Sequence, residues 1–122
     1  KLINIYNYGN YLRDFTYIDD VVEIIFKLSL KKNIKIQTFN VCASKPIKIN
    51  DILKMFKSIL KKSFKIKYKP KRRGEMEITY GSNSKLLKFL KTKNFIKFNV
   101  GLKRTILWYK NYSNKSFLEL HK

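Results

Sequence analysis

The apolar positions change period along the chain, and each change predicts an element. Leu2–Tyr6 is a short β-rich run. Asn7-Tyr8-Gly9-Asn10 reads as a turn, because Gly and Asn tolerate positive φ. Arg13–Ile18 is a second β-prone run. After Asp19-Asp20, the residues Val21, Val22, Ile24, Ile25 and Leu28 form a broad helical face, with an Asp expected to cap the helix and to favour the positive end of its dipole. That helix is expected to fade near Lys31-Lys32-Asn33. Thr38–Val41 reads as a strand without a polar face, hence a buried one. Lys45–Ile49 is an extended connection.

Ile52, Met55, Phe56, Ile59 and Leu60 then recur at helical spacing, behind an Asn50 or Asp51 cap. Phe64–Tyr68 alternates strictly, as a half-exposed strand does, and Pro70 ends it. Lys71–Glu75 is a basic loop. Ser82 or Ser84 is placed to cap a short helix carrying Leu86, Leu87 and Leu90. A last helix over about Asn99–Tyr112 puts Leu102, Ile106 and Tyr109 on one face, with Trp108 beside it and both aromatics expected in the core. Alternating strands and helices argue for an α/β fold with about four amphipathic helices. The strands are few and short for a sheet of their own, which suggests half of a larger protein.

Composition narrows the function classes. The 122 residues make one domain, with 28 Lys and Arg against 8 Asp and Glu and a net charge of +20. A hydrophobic fraction of 44% is too high for a disordered basic tail. No apolar run approaches the ~18 residues of a membrane-spanning helix. There is no signal-peptide pattern and no initiating Met, which points to a fragment and a cytoplasmic setting. The single cysteine, Cys42, excludes an internal disulfide and a Cys-based zinc cluster, and reads as a small buried thiol. The single histidine, His121, lies in an expected terminal tail of about ten residues. The basic excess is 24 Lys and only 4 Arg, scattered over every segment. Codon bias accounts for that pattern better than a nucleic-acid footprint does, since such a footprint concentrates Arg and aromatic residues on one surface. A basic nucleic-acid-binding module stays as the alternative, as does a non-functional truncated remnant.

The stretch Arg13-Asp14-Phe15-Thr16-Tyr17-Ile18-Asp19-Asp20-Val21-Val22 resembles a signature in the C-terminal half of the extended short-chain dehydrogenase/reductases, in the NAD-dependent epimerase/dehydratase family. The preceding Ile5–Gly9 looks most like the UDP-glucuronate 4-epimerase branch. Phe39-Asn40-Val41, Arg72-Arg73-Gly74-Glu75, Thr79-Tyr80, Ser84-Lys85-Leu86 and Trp108-Tyr109 with Tyr112 continue the family pattern in order, over residues 2 to 112.

The resemblance implies an NAD-dependent UDP-sugar epimerase. NAD sits on an N-terminal Rossmann half, a Tyr in a Y-x-x-x-K motif acts as base, and the C-terminal half binds the nucleotide diphosphate. For the complete enzyme it leaves the oligomeric state open, a homodimer being one expectation. Here the four glycines are too far apart for the cofactor turn, and none of the eight tyrosines has Lys four residues later. The chain is therefore expected to be the nucleotide-sugar-binding C-terminal portion, residues 1–122, with no catalytic or cofactor-binding residue of its own. Arg13 and Arg72 align with the diphosphate-contacting arginines, whose guanidinium forks onto phosphate oxygens as Lys cannot. Glu75 stands where the family has an Asp that bonds ribose hydroxyls, and its extra methylene displaces the carboxylate by about 1.5 Å. Arg73 takes over from Arg72 if the register slips by one. Tyr6 and Asn7 lie near the start of the nucleoside pocket. Asp19 and Asp20 read as helix caps, and Phe15 and Tyr17 as packing residues. The expected partners are a UDP-sugar and the Rossmann half, with no membrane and no specific nucleic acid.

Overall fold

A computed structural model describes residues 2–32, 35–92 and 95–113. Asn33, His121 and the expected tail lie outside them. Five short strands and four helices follow one another: β1 Leu2–Ile5, β2 Leu12–Arg13, α1 Ile18–Ser29, β3 Ile47–Lys48, α2 Ile49–Leu60, β4 Lys65–Tyr68, β5 Ile78–Thr79, α3 Ser84–Leu90 and α4 Phe98–Ser113. The alternating run at Lys65–Tyr68 pairs in parallel with β1, Leu2 facing Lys65 and Ile5 facing Tyr68. β2 is the centre of a second, three-stranded sheet, antiparallel to β3 and parallel to β5. The architecture is the expected α/β one.

Each helix sends one or two apolar side chains inward. Ile24 of α1, Ile52 of α2, Leu86 of α3, and Leu102 and Ile106 of α4 are buried, and Tyr11 joins them from beside β2. Gly101 lets α4 approach Tyr17, whose side chain stands 3.1–3.2 Å from where a Cβ would be, closer than ordinary contact. The turn before β2 is left-handed at three successive residues, Asn7, Tyr8 and Gly9. Gly carries that conformation freely, whereas Tyr8 is forced into it. The amide of Tyr8 is held by the carbonyl of Lys69, and Asn50 Nδ2 donates to the carbonyl of Tyr8.

Several sequence expectations are corrected. None of the predicted caps forms. Tyr17, Lys48 and Asn83 precede α1, α2 and α3, and none makes a side-chain capping bond. Asp20 is buried one residue pair inside α1, where its Oδ2 accepts the backbone N–H of Ile96 at 2.9 Å. Asn50 is drawn to Tyr8 and Tyr68 instead of the α2 terminus. The β-prone run at Arg13–Ile18 gives strand only up to Arg13, and α1 begins already at Ile18.

Thr38–Val41 forms no strand. Among the described residues no strand pairs with it, and side chains make its polar contacts: Lys85 Nζ donates to the carbonyl of Thr38, and Asn40 Nδ2 donates to that of Ser82. Phe39 packs on Phe89 with ring centroids 4.9 Å apart. Trp108 and Tyr109 are exposed rather than core, and Trp108 stacks on Tyr112. Cys42 is half-buried, its Sγ beside Ser44 Oγ. No helix among the described residues is long and apolar enough to cross a membrane.

Candidate functional site

The Arg13–Asp20 stretch is used residue by residue to tie distant parts of the chain together. The Arg13 guanidinium spans from β2 to the segment before β5. Its Nη1 donates to the carbonyls of Leu12 and Glu77, and its Nη2 to that of Met76 at 2.9 Å. Asp14 accepts the backbone N–H groups of Ser44 and Lys45. Thr16 accepts that of Ala43. Phe15, itself partly exposed, meets Phe98, and Tyr17 meets Gly101. The specificity of this stretch thus has a structural basis in addition to any contact with a ligand.

Around Arg13 the chain gathers the residues expected from the basic loop. Arg13 Nη2 lies 4.0 Å from Glu75 Oε1. Its guanidinium carbon sits 4.8 Å from the centre of the Tyr11 ring. The left-handed Gly74 turns the chain back, and the amide of Glu75 donates to the carbonyl of Arg72. The Arg72 guanidinium carbon lies 3.5 Å from the centre of the Tyr6 ring. The same guanidinium holds the Tyr6 phenol below its ordinary value, and is itself raised by that contact. Lys69 approaches Tyr6 at 5.5 Å. Lys71 is bound to Glu77 at 2.6 Å, which lowers the Glu77 carboxyl.

The loop therefore carries two cations, Arg72 and Arg73, on its exposed side, with the half-buried Lys69 just before it, and one carboxylate, Glu75, turned inward between Arg13 and Tyr11. Arg13, Arg72, Glu75 and Tyr6 come together. Arg73 is exposed on the same loop, and Asn7 lies in the adjoining left-handed turn. Such an arrangement suits an anion with hydroxyls beside it: Arg72 can leave the half-buried Tyr6 ring, a contact worth roughly 0.5–2 kcal/mol, for a phosphate fork.

Sequence reasoning missed Tyr11. It is 4% exposed, and its hydroxyl and Glu75 Oε2 are buried without a hydrogen-bond partner among the described residues. The available signal was its place two residues before Arg13, on the same side of an extended segment. Two cavities, of about 420 and 470 Å³, lie away from this cluster, the first beside Phe15, Lys45 and Leu87 and the second beside Tyr17, Asp19 and Trp108. Among the described residues, no three His, Cys, Asp or Glu side chains gather as a metal ion would require.

No protein-family model matches the chain. It is 39% identical over 118 residues to an uncharacterized protein of Methanocaldococcus jannaschii, covering 97% of this chain and 35% of that one. It is 32% identical over 111 residues to a UDP-glucuronate 4-epimerase of Thermodesulfobacterium geofontis, covering 90% and 34%. Among solved structures, the UDP-glucose 4-epimerase of Thermotoga maritima with UDP-glucose superposes with a TM-score of 0.78 at 26% identity, over 91% of this chain and 35% of that one. The UDP-glucuronic acid 4-epimerase of Bacillus cereus, in complex with UDP-glucuronic acid and NAD, superposes with a TM-score of 0.74 at 29% identity, over 84% and 33%. The chain thus spans about a third of the length of the curated relatives it matches.

Proposed function

We propose that this chain, which matches the C-terminal portion of extended short-chain dehydrogenase/reductases of the epimerase/dehydratase family and is similar to UDP-glucuronate 4-epimerases, contributes the UDP-sugar-binding wall of an NAD-dependent UDP-sugar epimerase. The observation that carries this reading is the convergence of Arg13, Arg72 and Glu75 around Tyr11. Arg72 supplies the mobile fork for the diphosphate. Arg13 is already spent in part on three carbonyls, so it acts chiefly by holding the loop in place and by its charge. Glu75 accepts a ribose hydroxyl.

NAD and the proton-transfer groups belong to the part of the relatives that this chain does not span. The glycines here serve other ends. Gly9 and Gly74 make left-handed turns, Gly81 lies against Cys42, and Gly101 lies against Tyr17. None of them joins a phosphate-cradling strand-to-helix turn, and no chemical step is assigned to this chain.

Titration calorimetry of the chain with UDP tests the reading. Arg72→Ala is expected to lower the affinity by on the order of 1–3 kcal/mol, the range for a hydrogen bond to a charged group. Arg72→Lys should not restore it, because an ammonium cannot make the paired bonds. A parent chain that ignores UDP, or an Arg72→Ala variant that binds it like the parent, overturns the assignment.

A further inference from the structure

Tyr11 and Glu75 each bury a polar atom without a hydrogen-bond partner among the described residues, and the Glu75 side chain acts on the Tyr11 phenol. The Tyr11 hydroxyl is buried, and so is Glu75 Oε2, and neither meets a hydrogen-bond partner among the described residues. Leaving such groups unpaired is costly, so a buried pair of them within reach of a ligand site calls for a role. The two side chains feel one another: burial raises the Tyr11 phenol first, and the neighbouring Glu75 carboxylate raises it further. The phenol therefore keeps its proton and is a donor, while the carboxylate is an acceptor. The other groups acting on the phenol are the backbone of Arg72, the Lys71 ammonium and the Arg13 guanidinium over its ring. The other carboxylate oxygen, Oε1, faces Arg13, and the Glu75 side chain is 34% exposed. One carboxylate thus has an inner and an outer oxygen with different neighbours.

We propose that Tyr11 is a positioning residue for Glu75. When the nucleotide binds, its hydroxyl turns to donate to Oε2 and so orients Oε1 to accept a ribose hydroxyl. The longer Glu side chain is what lets one carboxylate reach inward to Tyr11 and outward to the ligand at once. This inference rests on the UDP-binding reading above, and it concerns only the ribose end of the ligand.

The test compares UDP with 2′-deoxy-UDP on the whole chain. Tyr11→Phe keeps the ring beneath Arg13 and removes the hydroxyl. It is expected to reduce the preference for UDP over 2′-deoxy-UDP by roughly tenfold, the size of one hydrogen bond to a charged group. The affinity for inorganic pyrophosphate should stay as in the parent. In a Glu75→Ala background the same change should have no further effect on the preference, since Tyr11 acts through Glu75. A merely structural Tyr11 would move UDP, 2′-deoxy-UDP and pyrophosphate together.

A second measurement needs no ligand and no Tyr11 variant. Glu75→Gln should let the buried phenol ionise at lower pH than in the parent, read from tyrosinate absorbance. A Tyr11→Phe chain that binds UDP with the parent's preference overturns the inference and leaves the UDP reading standing. An unchanged phenol titration in Glu75→Gln overturns it equally. A parent chain that binds no UDP overturns both.

Discussion

Gly9 has a φ of +78°, and a Cβ built on it would overlap the side-chain amide of Asn50. That amide is held on both sides, its Nδ2 donating to the Tyr8 carbonyl and its Oδ1 accepting from the Tyr68 hydroxyl. It cannot step aside without losing both bonds. Gly9→Ala is therefore expected to destabilise the chain by roughly 1–3 kcal/mol, the cost of overpacking, in addition to the left-handed backbone penalty. The shift in the urea midpoint measures it. An unchanged midpoint would mean that the Asn50 bonds are not formed in solution. Gly74 shares the same φ but has open space around it, so its role is to turn the chain, not to admit a neighbour. The Arg side chains differ in the same way. Arg13 is a cross-brace with a charge to spare, and Arg72 is a surface cation resting on an aromatic ring.

At the scale of elements, the bond between Asp20 Oδ2 and the Ile96 N–H ties the first turn of α1 to the segment that leads into α4. Asp20 is 8% exposed, and losing its carboxylate would leave the part-buried Ile96 amide without this partner. Asp20→Ala is expected to cost about 1–3 kcal/mol of stability. Hydrogen exchange at the Ile96 amide should speed up well beyond the change at amides in β1. Uniform acceleration across the chain would argue against a local tie. The helix ends show the cost of a Lys-rich composition. α2 and α3 both stop at left-handed lysines, Lys61 and Lys91, where Gly is the residue without a steric penalty. The sheets are held by very short ladders. β2, β3 and β5 contribute two residues each, so their order depends on the side chains of Arg13 and Asp14 as much as on backbone pairing.

At the scale of the whole molecule, α1 is the most informative helix. Its Ile24 is buried, but Ile18, Val22, Ile25 and Phe26 are each more than half exposed and lie on adjoining turns. A soluble domain rarely leaves such a stripe uncovered. Val22→Lys and Ile25→Lys together should reduce binding of a hydrophobic dye while leaving the thermal midpoint within about 1–2 °C, since surface changes are usually worth less than ~0.5 kcal/mol. A large drop in the midpoint would show that the stripe already packs within this chain.

Much of this protein was legible in its residues one stretch at a time. The helical spacing of Ile52, Met55, Phe56, Ile59 and Leu60 became α2, the alternation at Phe64–Tyr68 became β4, and Asn7–Gly9 became a left-handed turn. The ordered motifs also identified the family. These features depend on neighbours within a few residues, where periodicity and backbone preference act directly. The tertiary structure decided what depends on distant partners. It turned Asp20 and Asn50 from helix caps into ties to Ile96, Tyr8 and Tyr68. It left Thr38–Val41 without a strand to pair with, and it brought Tyr11 against Glu75 across more than sixty residues of chain. A polar side chain takes the partner that burial makes most valuable, and no local pattern specifies which distant group arrives there.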